Sequence, residues 1–393
     1  MNPGRLHDEA FATDPHPVWA ELRRSQPVFH DTTDNVWLIT RHADVIDGFS
    51  DTSKFSNRVY KKTLGQVFGP TLLEADGADH VSQRKIVAPV FIPNRLDRYR
   101  EMIEEVVDRL LDQTAADGSF DLVRDFTERL PGTVIVRMMG FDDEDVGQFH
   151  DWYEAMMRGL WDDPDLRAKG REAHLELNDH VAPVVEERRA CPGDDLLSRL
   201  IERDVADLPA FISVLLTAGG ETTDKALANM WHNLFSNPAQ LEELRTDPDR
   251  VDDAFSETLR HSPSLVYLGR ETTQEVEWHG VTIPKGETVR LGVGSANRDE
   301  AVFADPGRFD INRDDLHLGL EHRSASYDDG AGHLAFGAGP HFCLGYALSR
   351  LEATTATRML IDRFPQMRPA GPLPPIRVSG PSQTPGSLPV LVQ

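Results

Sequence analysis

Phe336-Gly337-Ala338-Gly339-Pro340-His341-Phe342-Cys343-Leu344-Gly345 runs directly into a helical pattern, Tyr346-Ala347-Leu348-Ser349-Arg350-Leu351-Glu352. Glycines let a loop pass close to a flat ligand or take up positive φ, and a cysteine just ahead of a helix has its thiolate stabilised by the free amides of the first turn. A lone cysteine in such a turn can instead be a small buried hydrophobe. A phosphate cradle is a third reading, but no Lys-Ser or Lys-Thr follows and the glycine spacing does not match a dinucleotide fingerprint. The spacing favours thiolate chemistry at Cys343.

The rest of the chain narrows what that chemistry can serve. Across 393 residues, 41 Lys and Arg stand against 65 Asp and Glu, a formal net charge of −24. A nucleic-acid binder needs a basic footprint, and an anionic membrane surface would repel this chain. Hydrophobic residues at 39% and charged residues at 27% describe a globular chain rather than a disordered one. Two cysteines, Cys191 and Cys343, are too few for a disulfide scaffold or a four-thiolate zinc site, which fits a reducing cytoplasm. Neither a secretory leader nor an apolar run of membrane-spanning length is visible, so no membrane span is expected.

No linker, repeat or low-complexity block divides the chain, and residues 1–393 read as a single catalytic domain. Pro27-Val28-Phe29-His30 and Val36-Trp37-Leu38-Ile39-Thr40, around a turn-rich Asp31 to Asn35, predict a hairpin. Three- and four-residue apolar spacing predicts a mostly helical stretch from about 82 to 260. Within it, Asp207-Leu208-Pro209 starts and Asn237-Pro238 stops one helix of roughly 28 residues, about 42 Å long. Val276 to Arg290 returns to strands and tight turns, Asn297 to Leu334 is a long polar stretch, and the tail from Pro365 is extended.

With its Phe-Gly-x-Gly-x-His-x-Cys-x-Gly pattern, the stretch around Cys343 resembles the haem-binding loop of the cytochrome P450 family, soluble bacterial type. The resemblance spans roughly residues 15 to 390. It implies a mainly α (α+β) fold, a helix-rich body with a smaller β region, and haem between a distal long helix and a proximal helix. It assigns Cys343 as the axial ligand of haem b (iron protoporphyrin IX), with Phe336, Gly337 and Gly345 shaping the loop and O2 as co-substrate. Ala218-Gly219-Gly220-Glu221-Thr222-Thr223 matches the family's distal motif. There Ala218 and Gly219 line the haem, and Glu221 and Thr222 form the acid-alcohol pair that relays protons. Two adjacent glycines inside a helix are a local weakness whose plain explanation is close packing against a neighbour.

Haem propionates need cationic partners in a mostly apolar slot. The family pattern places them at His80, Arg84, Arg270 and His341. Glu257-Thr258-Leu259-Arg260 puts an acid and a base on one helical face. In the family this pair is structural and is joined by a later arginine, for which Arg308 is the match.

The family's substrate-contact regions fall on Phe68, Leu72, Met156, Met157, Trp161, Val214, Val266, Tyr267, Leu268 and the segment from Thr384. This apolar and aromatic set implies a hydrophobic small-molecule substrate of the secondary-metabolite kind. Electrons would come from a separate ferredoxin and its NAD(P)H-dependent ferredoxin reductase, docking at Lys85, Arg95, Arg98, Arg350 and Arg358. Hydroxylation is the expected reaction. Oxidative coupling, dealkylation and peroxide-driven oxidation remain open, and a non-catalytic haem sensor is disfavoured by the intact Glu221-Thr222 pair.

Overall fold

A computed structural model describes all residues except 115–117, 161–162, 206, 317–331 and 393. The expected helix forms over Leu208–Ser236, with the Asp207 carboxylate accepting from the Ala210 N–H at 3.2 Å and Asn237 closing the other end. Its amino acids explain its place: apolar residues occur on nearly every side, so it is buried by neighbours rather than by one partner. Leu130–Met138, Val251–His261 and Tyr346–Arg363 all pack on it. A second long helix, Pro164–Ala190, packs chiefly on Asp143–Gly159. Together these helices enclose the main hydrophobic core.

The hairpin forms as Val28–Asp31 and Val36–Ile39, in antiparallel register with Phe29 opposite Leu38. It enters a five-stranded sheet in the order Val28–Asp31, Val36–Ile39, Thr288–Leu291, Leu268–Thr272, Phe55–Ser56. Only the pairing of Val36–Ile39 with Thr288–Leu291 is parallel. A second core lies on this sheet and includes Phe49, Leu334 and Ala338. The sheet thereby reaches the cysteine loop. The tail is extended as expected, with Pro389–Leu391 pairing to both Ser119–Asp121 and Arg368–Pro369.

Part of the polar stretch after Asn297 falls outside the described residues. The remainder is anchored: the Asn297 side chain donates to the Leu259 carbonyl at 3.1 Å and accepts from the Leu334 N–H at 2.7 Å. No described helix is long and apolar enough to cross a membrane.

Candidate active site

The cysteine loop is held by its own backbone. Gly337 N–H donates to Leu334 at 2.9 Å, Phe342 N–H to Gly339 at 3.0 Å and Cys343 N–H to Phe336 at 2.9 Å. Gly339 has φ +66°, and a Cβ there would stand 3.0 Å from Ser50 Cα and 3.1 Å from the Phe49 carbonyl. Glycine is therefore required by both conformation and space. Gly345 sits at the N-cap of Tyr346–Arg363, and Phe336 makes edge contacts with Phe342 and Tyr346. Burial pushes the Cys343 thiol up, while the Gly345 and Tyr346 amides and the Arg84 charge pull it down. A metal ion bound to the sulfur would deprotonate it.

Around this loop the four expected cationic positions converge. His80 and His341 stack with ring centroids 3.9 Å apart. Burial, aided by Arg84, holds His80 down at about 4, and burial with His80, Arg270 and Arg84 holds His341 at about 2. Arg84 donates to the Phe342 carbonyl at 2.5 Å. Arg270 is buried, lies over the Phe49 ring at 4.9 Å and donates to its neighbour Gly269. No carboxylate pairs with Arg270 among the described residues, and His80 Nε2 is buried without a partner. Among the described residues Asp76 approaches this set, 3.6 Å from His341 Nε2. Asp76 is itself occupied by the Ser56 hydroxyl and the Asn57 N–H. A buried guanidinium with no carboxylate partner is costly, so Arg270, with the imidazoles and Arg84 around it, fits a flat ligand that brings its own carboxylates.

On the long helix, Leu215, Ala218, Gly219 and Thr222 retain accessible surface, Ala218 outright, although this stretch is surrounded by packed helices. Their spacing places them on one face, which leaves room for a ligand. The glycines have a packing reason as well: a Cβ on Gly219 would lie 2.7 Å from Ile135 Cδ1, and one on Gly220 would lie 3.4 Å from the Tyr153 ring. The helix runs unbroken through them. Thr222 Oγ1 donates to the Ala218 carbonyl at 2.8 Å, and Ser264 Oγ donates to the Thr222 carbonyl at 2.6 Å. Glu221 Oε1 accepts from Ser382 Oγ at 3.3 Å and is ion-paired with Lys225.

Glu257 and Arg260 form the expected buried pair, but the third arginine differs from expectation. Arg313 Nε lies 3.2 Å from Glu257 Oε1 with its side chain 6% exposed. The Arg308 side chain is 63% exposed and pairs with Asp310. Arg308 contributes only its carbonyl, which accepts from Arg260 at 2.9 Å. The chain turns between the two positions, so the later residue faces the helix.

Of the expected substrate contacts, Phe68 and Met156 are buried, Val214 lies at the edge of burial, and Leu72, Met157, Leu268 and Thr384 are half-buried. Trp161 lies outside the described residues. Two are committed elsewhere. Tyr267 packs under the Arg290 guanidinium at 4.7 Å, and Val266 is fully buried beside Gly294. Tyr60, at the start of an expected substrate-contact region from Tyr60 to Leu73, accepts from the Gly269 N–H through its hydroxyl at 3.3 Å, whereas residue-level reading missed Ser382 and Lys225 at Glu221. Only Lys225 carried a signal, its four-residue spacing from Glu221.

The cytochrome P450 family model matches residues 28–379. The chain is 36% identical to cytochrome P450 107B1 of Saccharopolyspora erythraea over 388 residues, covering 92% of this chain and 91% of that one. It is 32% identical to 6-deoxyerythronolide B hydroxylase of the same organism, covering 92% and 91%. The solved structure of CYP109E1 from Bacillus megaterium in complex with testosterone superposes with a TM-score of 0.84 at 28% identity, covering 97% of this chain and 99% of that one. The chain belongs to the cytochrome P450 family. It is a haem-dependent monooxygenase, an oxidoreductase that uses O2, and like the family it works with redox partners.

Proposed function

We propose that Cys343 would supply the thiolate ligand of a bound haem, that His80, Arg84, Arg270 and His341 would hold its propionates, and that residues 1–393 form one catalytic unit. The observation that carries this reading is the buried Arg270 guanidinium, with no carboxylate partner among the described residues, and the buried, unpartnered His80 Nε2, both beside the Cys343 loop. When bound, the haem activates dioxygen, and electron density from the thiolate favours O–O cleavage. The amides of Gly345 and Tyr346 hold the sulfur, and Phe336, Gly337 and Gly345 fix the loop that presents it.

On the accessible face of the long helix, Ala218 and Gly219 would admit the flat ligand, and Thr222 and Glu221 supply protons. The Thr222 hydroxyl now rests on the Ala218 carbonyl and can turn into the open face. Glu221 reloads it. Phe68, Leu72, Met157 and Val214 form an apolar roof that excludes water and orients the substrate. Similarity to a 6-deoxyerythronolide B hydroxylase and to a testosterone-bound structure supports a bulky hydrophobic substrate and hydroxylation.

A separate ferredoxin with its reductase delivers electrons in the cytoplasm. Lys85 and Arg95 are exposed and carry no ion pair among the described residues, whereas Arg98, Arg350 and Arg358 are paired with Asp194, Asp252 and Asp249. Lys85 and Arg95 therefore lead the docking surface. Titration of haem-loaded protein with macrolactones, steroids and small polar acids tests the substrate class through the low-to-high-spin change. The hydrophobic compounds should shift the spectrum. A response confined to the polar acids would overturn the class.

A further inference from the structure

We infer that Lys225 is a positioning residue for Glu221, anchoring one oxygen of its carboxylate from the outer side of the long helix and leaving the other to serve Thr222. This deepens the relay proposed above and rests on it. The geometry is that of consecutive helical turns. Glu221 and Lys225 are four residues apart and ion-paired, with side chains only 23% and 13% exposed. Ser382 holds the same oxygen, Oε1, so the second carboxylate oxygen is the one left to turn toward Thr222.

Next to this pair, Asp224 accepts from Thr127 Oγ1 at 2.6 Å, at the start of the connection to Glu128. Desolvation pushes Asp224 up to about 7 and Lys225 down to about 8, with the Glu128 charge opposing the shift in Lys225. Both groups can therefore exchange protons near neutrality. The charged groups facing this turn come from three elements. Glu221 and Asp224 belong to the helix itself. Asp121, Arg124 and Glu128 lie on the segment before Leu130, and His150, Tyr153 and Glu154 lie on Asp143–Gly159. Glu128 is exposed, and beyond it His150 and Glu154 sit 3.4 Å apart at the surface. The Lys225 ammonium therefore holds the Glu221 carboxylate from the outer side of the helix as long as it stays charged, and the Glu128 charge helps it to stay so. A lysine whose only role was helix packing would need neither the acid inward of it nor the acid outward.

The test compares haem-loaded wild type, Lys225→Met, Lys225→Arg and Glu128→Gln by two readouts: the infrared titration of the Glu221 carboxyl, identified with Glu221→Gln, and the pH profile of coupling. Lys225→Met should raise the Glu221 titration and lower coupling by about tenfold or more, and Lys225→Arg should restore both. Glu128→Gln removes a charge that raises Lys225, so its coupling profile should move to lower pH. If Lys225→Met does not fold, the exposed Glu128 substitution decides alone. Unchanged Glu221 titration in Lys225→Met, or an unmoved profile in Glu128→Gln, overturns the role of Lys225. Loss of the relay itself would appear separately, as normal coupling in Thr222→Ala.

Discussion

The Glu257 carboxylate and the Arg260 guanidinium meet through two contacts of 2.7 Å, with neither side chain exposed to solvent. Arg260 spends its other N–H groups on the carbonyls of Asn297, Pro306 and Arg308. One ion pair thus fastens the helix Val251–His261 to the irregular stretch that precedes the cysteine loop. Removing one partner strands a buried charge, at a cost of about 3–5 kcal/mol. Glu257→Gln should unfold at markedly lower denaturant than wild type and retain less haem, as read by equilibrium denaturation and the haem-to-protein absorbance ratio.

The two later arginines should separate cleanly. Arg313→Gln removes the second cation from Glu257 and should cost a few kcal/mol, whereas Arg308→Gln touches an exposed pair and should stay within about 0.5 kcal/mol. Equal losses in a denaturation series would contradict the assignment of Arg313.

Glycine substitutions test the loop against the helix. Gly339→Ala meets backbone at 3.0 Å in a left-handed conformation, so about 1–3 kcal/mol and part of the haem affinity should be lost. Gly219→Ala meets only the tip of Ile135, which can rotate, and gains helix propensity of about 1 kcal/mol. Its melting temperature should change little.

Acid sensitivity has a source away from the haem. His16 and His261 are held well below the ordinary histidine range by burial first, then by Arg298 and other nearby cations. The unfolded chain binds these protons below about pH 6.5 and the folded chain resists them, so stability is present above that pH and falls as pH drops through it. Thermal melts from pH 7.5 to 5 should show the decline, and His261→Gln should flatten it. An identical slope in the variant would assign the effect elsewhere.

Thr222→Ala should bind haem and substrate normally yet uncouple electron use from product. The measurement is NAD(P)H consumed against product formed, with the ratio worsening by about tenfold or more.

Much of this was readable from residues alone. The ends of the long helix were visible because Asp207 and Asn237-Pro238 are local signals, and the hairpin because its strands flank a turn-rich segment. The cysteine loop was visible because close backbone approach admits only glycine at fixed places. Arg308 was mistaken for Arg313 because spacing within an irregular stretch does not reveal which side faces the helix. The stacking of Arg290 on Tyr267 was not legible because the two lie on different segments that only the sheet brings together. Ser382 gave no sign at all, since its partner Glu221 is 161 residues away and only the tertiary fold joins them.

The most direct test is the visible spectrum of the haem-loaded, reduced protein under carbon monoxide, beside Cys343→His. Wild type should show the red-shifted band of a thiolate-ligated haem, and the variant should lose that band while keeping haem. A wild-type spectrum without the red-shifted band, or a variant that retains it, would contradict ligation by Cys343 and the oxidation chemistry built on it.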